Sequence, residues 1–254
     1  MQLLSIKPIV AVGMAIVTVH LIGCQTMSAA DMMTTGSSVL EAATINDAQM
    51  MQEAQIAAVS LDQKNTLAPA NSKYQQRVSN LAKHLNAVDG IPLNIKVYMT
   101  KEINAFAMPD GTIRVYSGLM DAMNDDELLF IIGHEIGHVA KGHTKQRMRA
   151  SLLTKVGRDV IAKTANQQLA VLTASQLGDF TEKVINAQFS QANEREADDY
   201  GLAMLKQSSK NPEGAATALE KLAAMGDGNS TFVTQMLSTH PEPGARAARI
   251  RKAI

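Results

Sequence analysis

The chain has 254 residues, a length that fits one large domain or two small ones. Hydrophobic residues make up 46% of it, which is ample for a core, and its 24 basic and 24 acidic residues give a formal net charge of +0. Since no basic cluster stands clear of matching acidic residues, the sequence argues against nucleic-acid binding. Its many alanines, leucines, methionines and glutamines favour helix over sheet.

The N-terminus has the features of a bacterial lipoprotein signal. Lys7 precedes an apolar run over residues 9–22 that is too short and too interrupted to indicate a transmembrane helix. The run ends in Leu21-Ile22-Gly23-Cys24, which resembles the lipobox, where a signal peptidase cuts before the cysteine and fatty acyl chains such as palmitate are attached to it. We therefore expect a signal peptide over residues 1–23 and lipidation at Cys24, the single cysteine of the chain. An ordinary cleaved signal and an uncleaved anchor are the alternatives.

The residues after the cysteine predict the destination of the anchor and the start of the folded part. Aspartate in the next position would indicate retention in the inner membrane, so Gln25 favours the outer membrane, with the protein facing the periplasm. Residues 24–43 are expected to be a flexible tether, because they have no apolar period. The folded domain is expected over residues 44–254, and its first helices are predicted over 44–59 and 72–88.

A small, mainly antiparallel sheet is predicted next. Residues 93–99 alternate between apolar and polar, as in a half-buried strand, and two more strands are expected over 104–107 and 112–116. Pro109-Asp110-Gly111 joins the last two as a turn, since proline presets φ and glycine accepts positive φ. The strand over 104–107 can lie at the edge of the sheet and pair with an extended peptide, although a purely structural hairpin fits the residues equally well. The peptide-binding residues would then be Asn104, Ala105, Phe106 and Ala107.

The following segment contains His134-Glu135-Ile136-Gly137-His138, an HExxH sequence within a predicted helix. Residues four apart lie on one helical face, so His134 and His138 can bind the same metal ion. Glu135 lies about 100° around the helix, where it can reach a water beside the metal rather than the metal itself. Two imidazoles and an adjacent carboxylate are the groups that zinc-dependent peptide hydrolysis requires. A helix that carries two histidines by chance is the alternative.

Local signals delimit this helix. Asn124 and Glu127 have the spacing of a capping box, and Lys141-Gly142 is typical of a helix end. Gly133 and Gly137 are poor helix formers, so we expect another element to pack very close to them. Further helices are predicted over residues 144–165, 191–207, 211–224 and from 244 to the C-terminus.

A third protein ligand is needed, because catalytic zinc usually has three and leaves one position for water. His143 is the nearest candidate, but it is displaced by one residue from its place in the HExxHxxGxxH pattern and lies about 140° from His138 on the helical wheel. We interpret it instead as a solvent-facing histidine at the helix C-terminus. The other candidate is Glu194, with Asp198 one turn later to accept a hydrogen bond from the far nitrogen of a ligand histidine. A solvated acidic helix surface is the alternative.

Three motifs in order carry a resemblance to a known family. The first is HEIGHVAKGH from residue 134, the second is ExxxD from Glu194 to Asp198, and the third is HPxxxxR from His240 to Arg246. Together with NAFAMPDGTIRVYSGLM from residue 104, they make the chain similar to the HtpX and CAAX-prenyl-protease family of zinc metallopeptidases, and most of all to its periplasmic lipoprotein branch. HtpX and the prenyl proteases surround this core with transmembrane helices, of which this sequence shows none.

The resemblance implies an α+β, predominantly helical fold, a zincin-like core whose small sheet lies beside the HExxH helix. It also implies one zinc ion per chain. The implied zinc ligands are His134, His138 and Glu194, with Glu135 as the general base and Asp198 as a support for the ligands.

The same resemblance assigns roles to the C-terminal motif and to the edge strand. It places His240 near the zinc, where this histidine either fills the open position in a resting state or stabilises the oxyanion of the reaction. Arg246 would support that segment. The strand over 104–107 would pair with the substrate.

Together these observations predict a zinc endopeptidase of the bacterial envelope, anchored to the outer membrane through Cys24. By resemblance, its substrates are misfolded or misassembled outer-membrane proteins, and its partners are other proteases or barrel-assembly machinery. A first alternative is a chaperone-like assembly factor that binds unfolded barrel proteins while its zinc site stays plugged; a surface rich in the chain's 15 methionines would serve such binding. A second alternative is a hydrolase of non-peptide envelope bonds, which a peptide-pairing edge strand disfavours.

Overall fold

The computed structural model describes residues 47–151, 184–227 and 232–254. Within these ranges the chain is mostly helical and has short strands, so the predicted α+β, predominantly helical class is confirmed. The helices are α1 (Asp47–Lys64), α2 (Lys73–Leu81), α3 (Ser117–Ala122), α4 (Asp125–Ala140), α5 (Gln191–Gln207), α6 (Glu213–Asp227), α7 (Thr234–Thr239) and α8 (Pro243–Arg251). The strands are β1 (Ala87–Val88), β2 (Ile91–Pro92), β3 (Asn94–Tyr98), β4 (Ala105–Ala107) and β5 (Thr112–Tyr116).

Some predictions concern residues outside these ranges. The signal peptide, the tether and Cys24 are among them, and the helix predicted over 144–165 is described only as far as residue 151. In the described part of the chain, no helix is both long enough and apolar enough to cross a membrane.

The helix predicted over 72–88 is wrong at its C-terminal end. α2 begins as expected, with the Ser72 side chain accepting a backbone hydrogen bond in the first turn, but it ends at Leu81. Asp89 and Gly90 have φ angles of 49° and 78°, and they connect β1 to β2, which pair antiparallel. Two residues with positive φ in a two-residue loop are typical of the type I′ turn, which Asp-Gly favours. The hairpin therefore takes up the residues that a longer helix would need.

The three-stranded sheet is mixed and has the order β3-β5-β4. β4 and β5 form the predicted hairpin, whose turn contains Gly111 with a φ of 83°. A Cβ atom at this glycine would lie 2.2 Å from the carbonyl oxygen of Pro92, so no larger residue fits there. Because the hairpin reverses the chain, β5 runs in the same direction as β3 and pairs with it in parallel. Two of the three strand pairings described are antiparallel as expected, but the longest is parallel.

The two edges of this sheet are in different surroundings. The outer edge of β3 is covered, since the Ala68 N–H donates to the carbonyl oxygen of Val97 at 2.8 Å. The Gln75 side chain also accepts a hydrogen bond from the Val97 N–H at 3.2 Å and donates one to the carbonyl oxygen of Ile95 at 3.2 Å. β4 lies at the opposite edge and packs against α4. Residues 104–107 thus occupy an edge, beside the helix that carries the HExxH sequence.

α4 and α5 pack against each other almost backbone to backbone. A Cβ atom at Gly133 would lie 3.0 Å from the Cα of Gly201, and one at Gly137 would lie 3.0 Å from the Cα of Ala197. In the other direction, a Cβ at Gly201 would lie 2.9 Å from the carbonyl oxygen of Phe130. These distances are too short for real side chains, so the glycines allow the two helices to approach. The expectation that an element packs closely on Gly133 and Gly137 is confirmed.

α1 is held on the sheet by a largely buried ion pair. This helix continues the first predicted helix to Lys64, and in its last turns the Asp62 carboxylate accepts two hydrogen bonds from Arg114, at 2.8 and 2.9 Å. The Tyr98 hydroxyl and the Lys96 ammonium donate to the same carboxylate at 2.8 and 2.9 Å. Burial opposes the ionisation of Asp62, but these hydrogen bonds outweigh it and lower its pKa to about 2.

Candidate metal centre

Four buried side chains from three helices converge at one point. His134 and His138 come from α4, Glu194 comes from the first turn of α5, and His240 follows directly after α7. One donor atom from each of these residues lies within 4.8 Å of the donor atoms of the other three. In the described part of the chain this is the one group with such an arrangement of His, Cys, Asp or Glu side chains.

Local sequence explains how the helices present these groups. The predicted capping box forms, because Asn124 accepts a hydrogen bond from the Glu127 N–H and the Glu127 side chain accepts one from the Asn124 N–H. It fixes the start of α4, and the two histidines then share one face because they are four residues apart. Ser190 caps α5 by accepting a hydrogen bond from the Asn193 N–H at 3.2 Å, which sets Glu194 in the first turn. Close packing of the two helices brings both sets of groups together.

The distances within the cluster fit a metal ion. The Nε2 atoms of His134 and His138 are 3.1 Å apart, and they lie 3.6 and 3.3 Å from the carboxylate oxygens of Glu194. The Nδ1 atom of His240 lies 3.3 Å from His134 Nε2 and 3.0 Å from Glu194. Ligand atoms around a tetrahedral zinc lie about 3.3 Å apart, given zinc–nitrogen distances of about 2.0–2.1 Å. Three imidazoles and one carboxylate are also ligands that zinc accepts.

The protonation states support the same conclusion. The Nδ1 atom of His134 lies 3.0 Å from the Asp198 carboxylate, so Nδ1 is the nitrogen that donates to Asp198 and Nε2 is the nitrogen that faces the metal position. Burial lowers the pKa of His138 well below its ordinary value, which favours the neutral ring that a metal ligand requires. The Nε2 atoms of the two rings and the oxygens of Glu194 thus face one another at distances that suit a cation shared between them. The residues present fit zinc.

Asp198 and Arg246 hold the cluster from behind. The Arg246 guanidinium donates two hydrogen bonds to the Asp198 carboxylate, at 2.6 and 3.0 Å, and also forms an ion pair with Glu194. Burial opposes the ionisation of Asp198, but hydrogen bonds from His134 and Arg246 outweigh it and lower its pKa. One buried arginine thereby fixes two carboxylates of α5, of which one faces the metal position and the other orients His134.

Glu135 is a carboxylate that lies beside the cluster and is not one of its four members. The side chain is buried, and its Oε1 atom has no hydrogen-bond partner among the described residues. The Nε2 atom of His240 lies 3.5 Å from this oxygen. A buried carboxylate oxygen without a partner is costly, so its presence indicates a place for a water or substrate proton.

The interpretation of His143 as a solvent-facing histidine is wrong. This residue is only 4% exposed, and its Nδ1 atom lies 3.1 Å from the Nδ1 atom of His138. Its Nε2 atom lies 3.2 Å from the Glu196 carboxylate. The angle on the helical wheel assumed that α4 continues, whereas Gly142 has a φ of 69° and turns the chain back before the next helical residues, 143–151. His143 therefore contacts a predicted metal ligand without being part of the four-residue cluster.

Phe189 and Arg147 are two residues of the site that the sequence did not indicate. The Phe189 ring stacks on the His138 ring with a centroid distance of 3.7 Å and an angle of 14°. The guanidinium of Arg147 lies 3.8 Å from the centroid of the Phe189 ring, and burial lowers the pKa of this arginine to about 10. The Phe189 N–H donates to the carbonyl oxygen of Thr239, the residue before His240, at 3.1 Å. No motif contains these residues, because they meet only in the folded chain.

The predicted peptide-binding strand borders a cavity of about 210 Å³. The carbonyl oxygen of Asn104 accepts a hydrogen bond from the Tyr116 N–H in β5, so the backbone groups of Ala105 and Ala107 point away from the sheet. The Ala105 N–H donates a hydrogen bond to the side-chain oxygen of Asn104, at 3.0 Å. On its other side the cavity is lined by Gln235 and Thr239 of α7, the helix that leads to His240. The cavity therefore lies between the strand edge and the segment that leads to His240, and the four cluster residues themselves do not line it.

These groups define a class of protein. A helix that presents two histidines one turn apart to a glutamate of a second helix is the arrangement by which zinc metalloendopeptidases hold their metal. The chain belongs to peptidase family M48, whose sequence model matches residues 69–254. The resemblance that the three motifs indicated is therefore confirmed.

Three bacterial relatives show how far the similarity extends. The chain is 45% identical to metalloprotease LoiP of Escherichia coli (strain K12) over 241 residues, which is 94% of each chain. It is 41% identical to metalloprotease YcaL of the same strain over 238 residues, 92% of each chain. With the beta-barrel assembly-enhancing protease of that strain it shares 33% identity over 180 residues, which is 67% of this chain and 36% of the relative. With the first two, the similarity covers nearly the whole chain.

Proposed function

We propose that this protein is a zinc endopeptidase of the bacterial cell envelope that cleaves misfolded or misassembled outer-membrane proteins. It is held at the outer membrane by acyl chains on Cys24 and faces the periplasm. The N-terminal sequence that resembles a lipobox supports the anchor. The similarity to a protease whose name refers to beta-barrel assembly supports the substrate class.

The observation that carries the proposal is the free carboxylate oxygen of Glu135 beside the metal cluster. Zinc, when bound, lowers the pKa of a water and polarises the scissile carbonyl. The Glu135 carboxylate accepts the proton of the attacking water and donates it to the leaving amine. Burial keeps this carboxylate away from bulk solvent, while Asp198 and Arg246 keep the ligand side chains from turning.

The edge of β4 accounts for a preference for unfolded substrates. The backbone groups of Ala105 and Ala107 face away from β5, and Ala105 lines the cavity, so an extended peptide can pair with this edge as an additional strand when it replaces the Asn104 side chain at the Ala105 N–H. A folded barrel protein has its backbone groups already paired and cannot offer such a strand. A misassembled one exposes unpaired segments, so the edge selects the substrates that need removal.

A chaperone-like assembly factor with a plugged zinc site is the second candidate. The observation in its favour is that His240 lies 3.0 Å from Glu194 and 3.3 Å from His134, so that four protein side chains occupy the cluster. The described residues do not form the Met-rich binding surface that this candidate would use. Most of their methionines are buried, and Met99 is the only methionine among their exposed large hydrophobic side chains. Partner proteases or the barrel-assembly machinery would then deliver or receive the bound chains.

The two candidates differ in what they do to an unfolded barrel protein. Wild-type protein and Glu135→Gln are mixed with a urea-unfolded outer-membrane protein and with the same protein folded in detergent micelles. The proposal predicts fragments from the unfolded form only, and none with Glu135→Gln, while Glu220→Gln, at an exposed position of α6 outside the cavity, cleaves as the wild type does. Intact substrate in every reaction, together with suppressed aggregation, would favour the chaperone.

A separate experiment tests the location. The full-length chain and its Cys24→Ser variant are expressed in a bacterium with outer and inner membranes, which are then separated by density. We expect the wild-type chain in the outer-membrane fraction and the variant in the soluble periplasmic fraction. Equal distribution of the two proteins would refute the lipid anchor.

A further inference from the structure

The outer nitrogens of the two histidine ligands have different partners. His134 directs its Nδ1 atom to Asp198, as expected from the sequence. His138 directs its Nδ1 atom to the Nδ1 atom of His143, at 3.1 Å. The second contact is buried on both sides, and no sequence motif predicted it.

The positions of the protons in this contact follow from the metal cluster. His138 faces the cluster with Nε2, so that atom must carry a lone pair and Nδ1 must carry the proton. His143 then accepts with Nδ1 and has its own proton on Nε2, which lies 3.2 Å from the Glu196 carboxylate. Every donor in this chain meets an acceptor. The opposite order would put a proton on His138 Nε2, where it would prevent metal binding.

His143 and Glu196 lie close in sequence to the ligands that they support, His143 just after α4 and Glu196 within α5. Gly142, with a φ of 69°, ends α4 and turns the chain so that His143 returns over His138. Glu196 follows two residues after Glu194 on α5, and its side chain is 58% exposed at the surface. The chain of hydrogen bonds therefore runs from the buried ligand to a carboxylate in solvent.

Two contacts together determine the orientation of His138. Phe189 stacks on the face of the ring and fixes its plane. A flip by a half turn about the Cβ–Cγ bond keeps the same plane but exchanges the nitrogens with carbons, and the hydrogen bond to His143 selects the orientation in which Nε2 faces the cluster. We infer that His143, itself oriented by Glu196, is a positioning residue for the ligand His138 and sets how tightly the site holds zinc.

The expected size of the effect follows from comparable sites. Loss of a hydrogen-bond partner behind a metal-binding histidine typically costs 10–100-fold in metal affinity. The inference rests on the zinc site of the proposed function but not on its substrate or its location. Zinc affinity is therefore the proper readout, and proteolysis is not needed to judge it.

The experiment compares zinc dissociation constants of the purified, metal-free proteins, measured by competition with a chromophoric chelator at fixed pH. We expect His143→Ala to bind zinc about 10–100-fold more weakly than the wild type. His143→Asn places an oxygen where His143 has Nδ1, so it should recover most of the loss. Glu196→Gln should weaken binding by a smaller factor, and the exposed His84→Ala is the matched control that should change nothing.

A second measurement separates positioning from a loss of structure. The melting temperatures of the metal-free proteins and the visible spectra of their cobalt complexes are recorded for the same variants. We expect His143→Asn to melt like the wild type and to restore the wild-type cobalt spectrum, while His143→Ala shifts the spectrum. Wild-type affinity in His143→Ala, or equal losses in the alanine and asparagine variants, would overturn the inference. A wild-type protein that binds no zinc would instead overturn the zinc assignment itself.

Discussion

The close contact between α4 and α5 makes Gly137→Ala an informative substitution. The added Cβ would lie 2.9 Å from Tyr200 Cβ and 3.0 and 3.1 Å from the Cα and carbonyl oxygen of Ala197. Two of these three atoms belong to the backbone, so the helices themselves must separate, by roughly 0.7–1 Å, to reach ordinary carbon–carbon contact distances. Because Glu194 and His138 belong to different helices, this separation acts directly on the 3.3 Å distance between their ligand atoms.

We expect this substitution to change the unfolding free energy only slightly and the zinc affinity strongly. Alanine is better than glycine in a helix interior by about 1 kcal/mol, whereas overpacking costs about 1–3 kcal/mol. We therefore expect a net loss of unfolding free energy of about 0–2 kcal/mol. Zinc–oxygen bonds are about 2.0–2.2 Å long, so a shift near 1 Å should weaken zinc binding by at least about tenfold.

The assay pairs urea denaturation of the metal-free protein with zinc competition against a chelator. Gly244→Ala, in α8, is the matched control. Its added Cβ would lie 3.8 Å from the Cβ of Ala223 in α6, which is an ordinary contact distance. The control should keep its zinc affinity and should not lose stability. The reasoning is refuted if Gly137→Ala binds zinc as tightly as the wild type and is as stable as the control.

Three further predictions concern single side chains. Asp198→Asn should weaken zinc binding about 10–100-fold, as measured with a chelator, because its amide holds His134 less firmly; unchanged affinity would contradict this. Asp62 has a pKa lowered to about 2, so its contribution of about 1–2 kcal/mol, reduced for solvent screening, is present above about pH 4 and lost as the pH falls towards 2. Asp62→Asn should accordingly flatten the stability difference between pH 5 and pH 3 in urea titrations, and an unchanged slope would argue against the ion pair. His240→Ala should keep zinc and cleave a peptide faster if the imidazole plugs the site, as its contacts with the ligands indicate; slower cleavage would assign it to the oxyanion.

The parts of the fold that depend on residues close together in the sequence could be predicted from the sequence. The capping box of Asn124 and Glu127, the turn at Gly111 and the helix over 191–207 all follow from local hydrogen bonds or backbone preferences. The spacing of His134 and His138 likewise fixes their common face. Such features need no knowledge of what packs against them.

Some sequence patterns are compatible with two local structures, and contacts with distant residues select one of them. Asp89-Gly90 is compatible with a helix end as well as with a hairpin turn, and the pairing of β1 with β2 selects the turn. The parallel pairing of β5 with β3 could not be foreseen either, since strand order does not follow from the strands' own residues. Gly133 and Gly137 indicated a close neighbour without identifying α5 as that neighbour.

The surroundings of the metal cluster were the least predictable part. His143 was judged on a helical wheel that the turn at Gly142 invalidates, and its partner Glu196 lies more than fifty residues further along the chain. Phe189 carries no motif, and its stacking on His138 depends on where α5 begins. Contacts of this kind form between elements, so only the folded structure reveals them.

The most direct test of the zinc peptidase assignment is bound zinc measured together with peptide cleavage in the wild type and in Glu194→Ala. We predict one zinc ion per chain and cleavage of an unfolded substrate for the wild type, and loss of both in the variant, because the variant lacks the carboxylate ligand and leaves the Arg246 guanidinium beside the cation without this partner. Full zinc content and full activity in Glu194→Ala would contradict the assignment of the metal site.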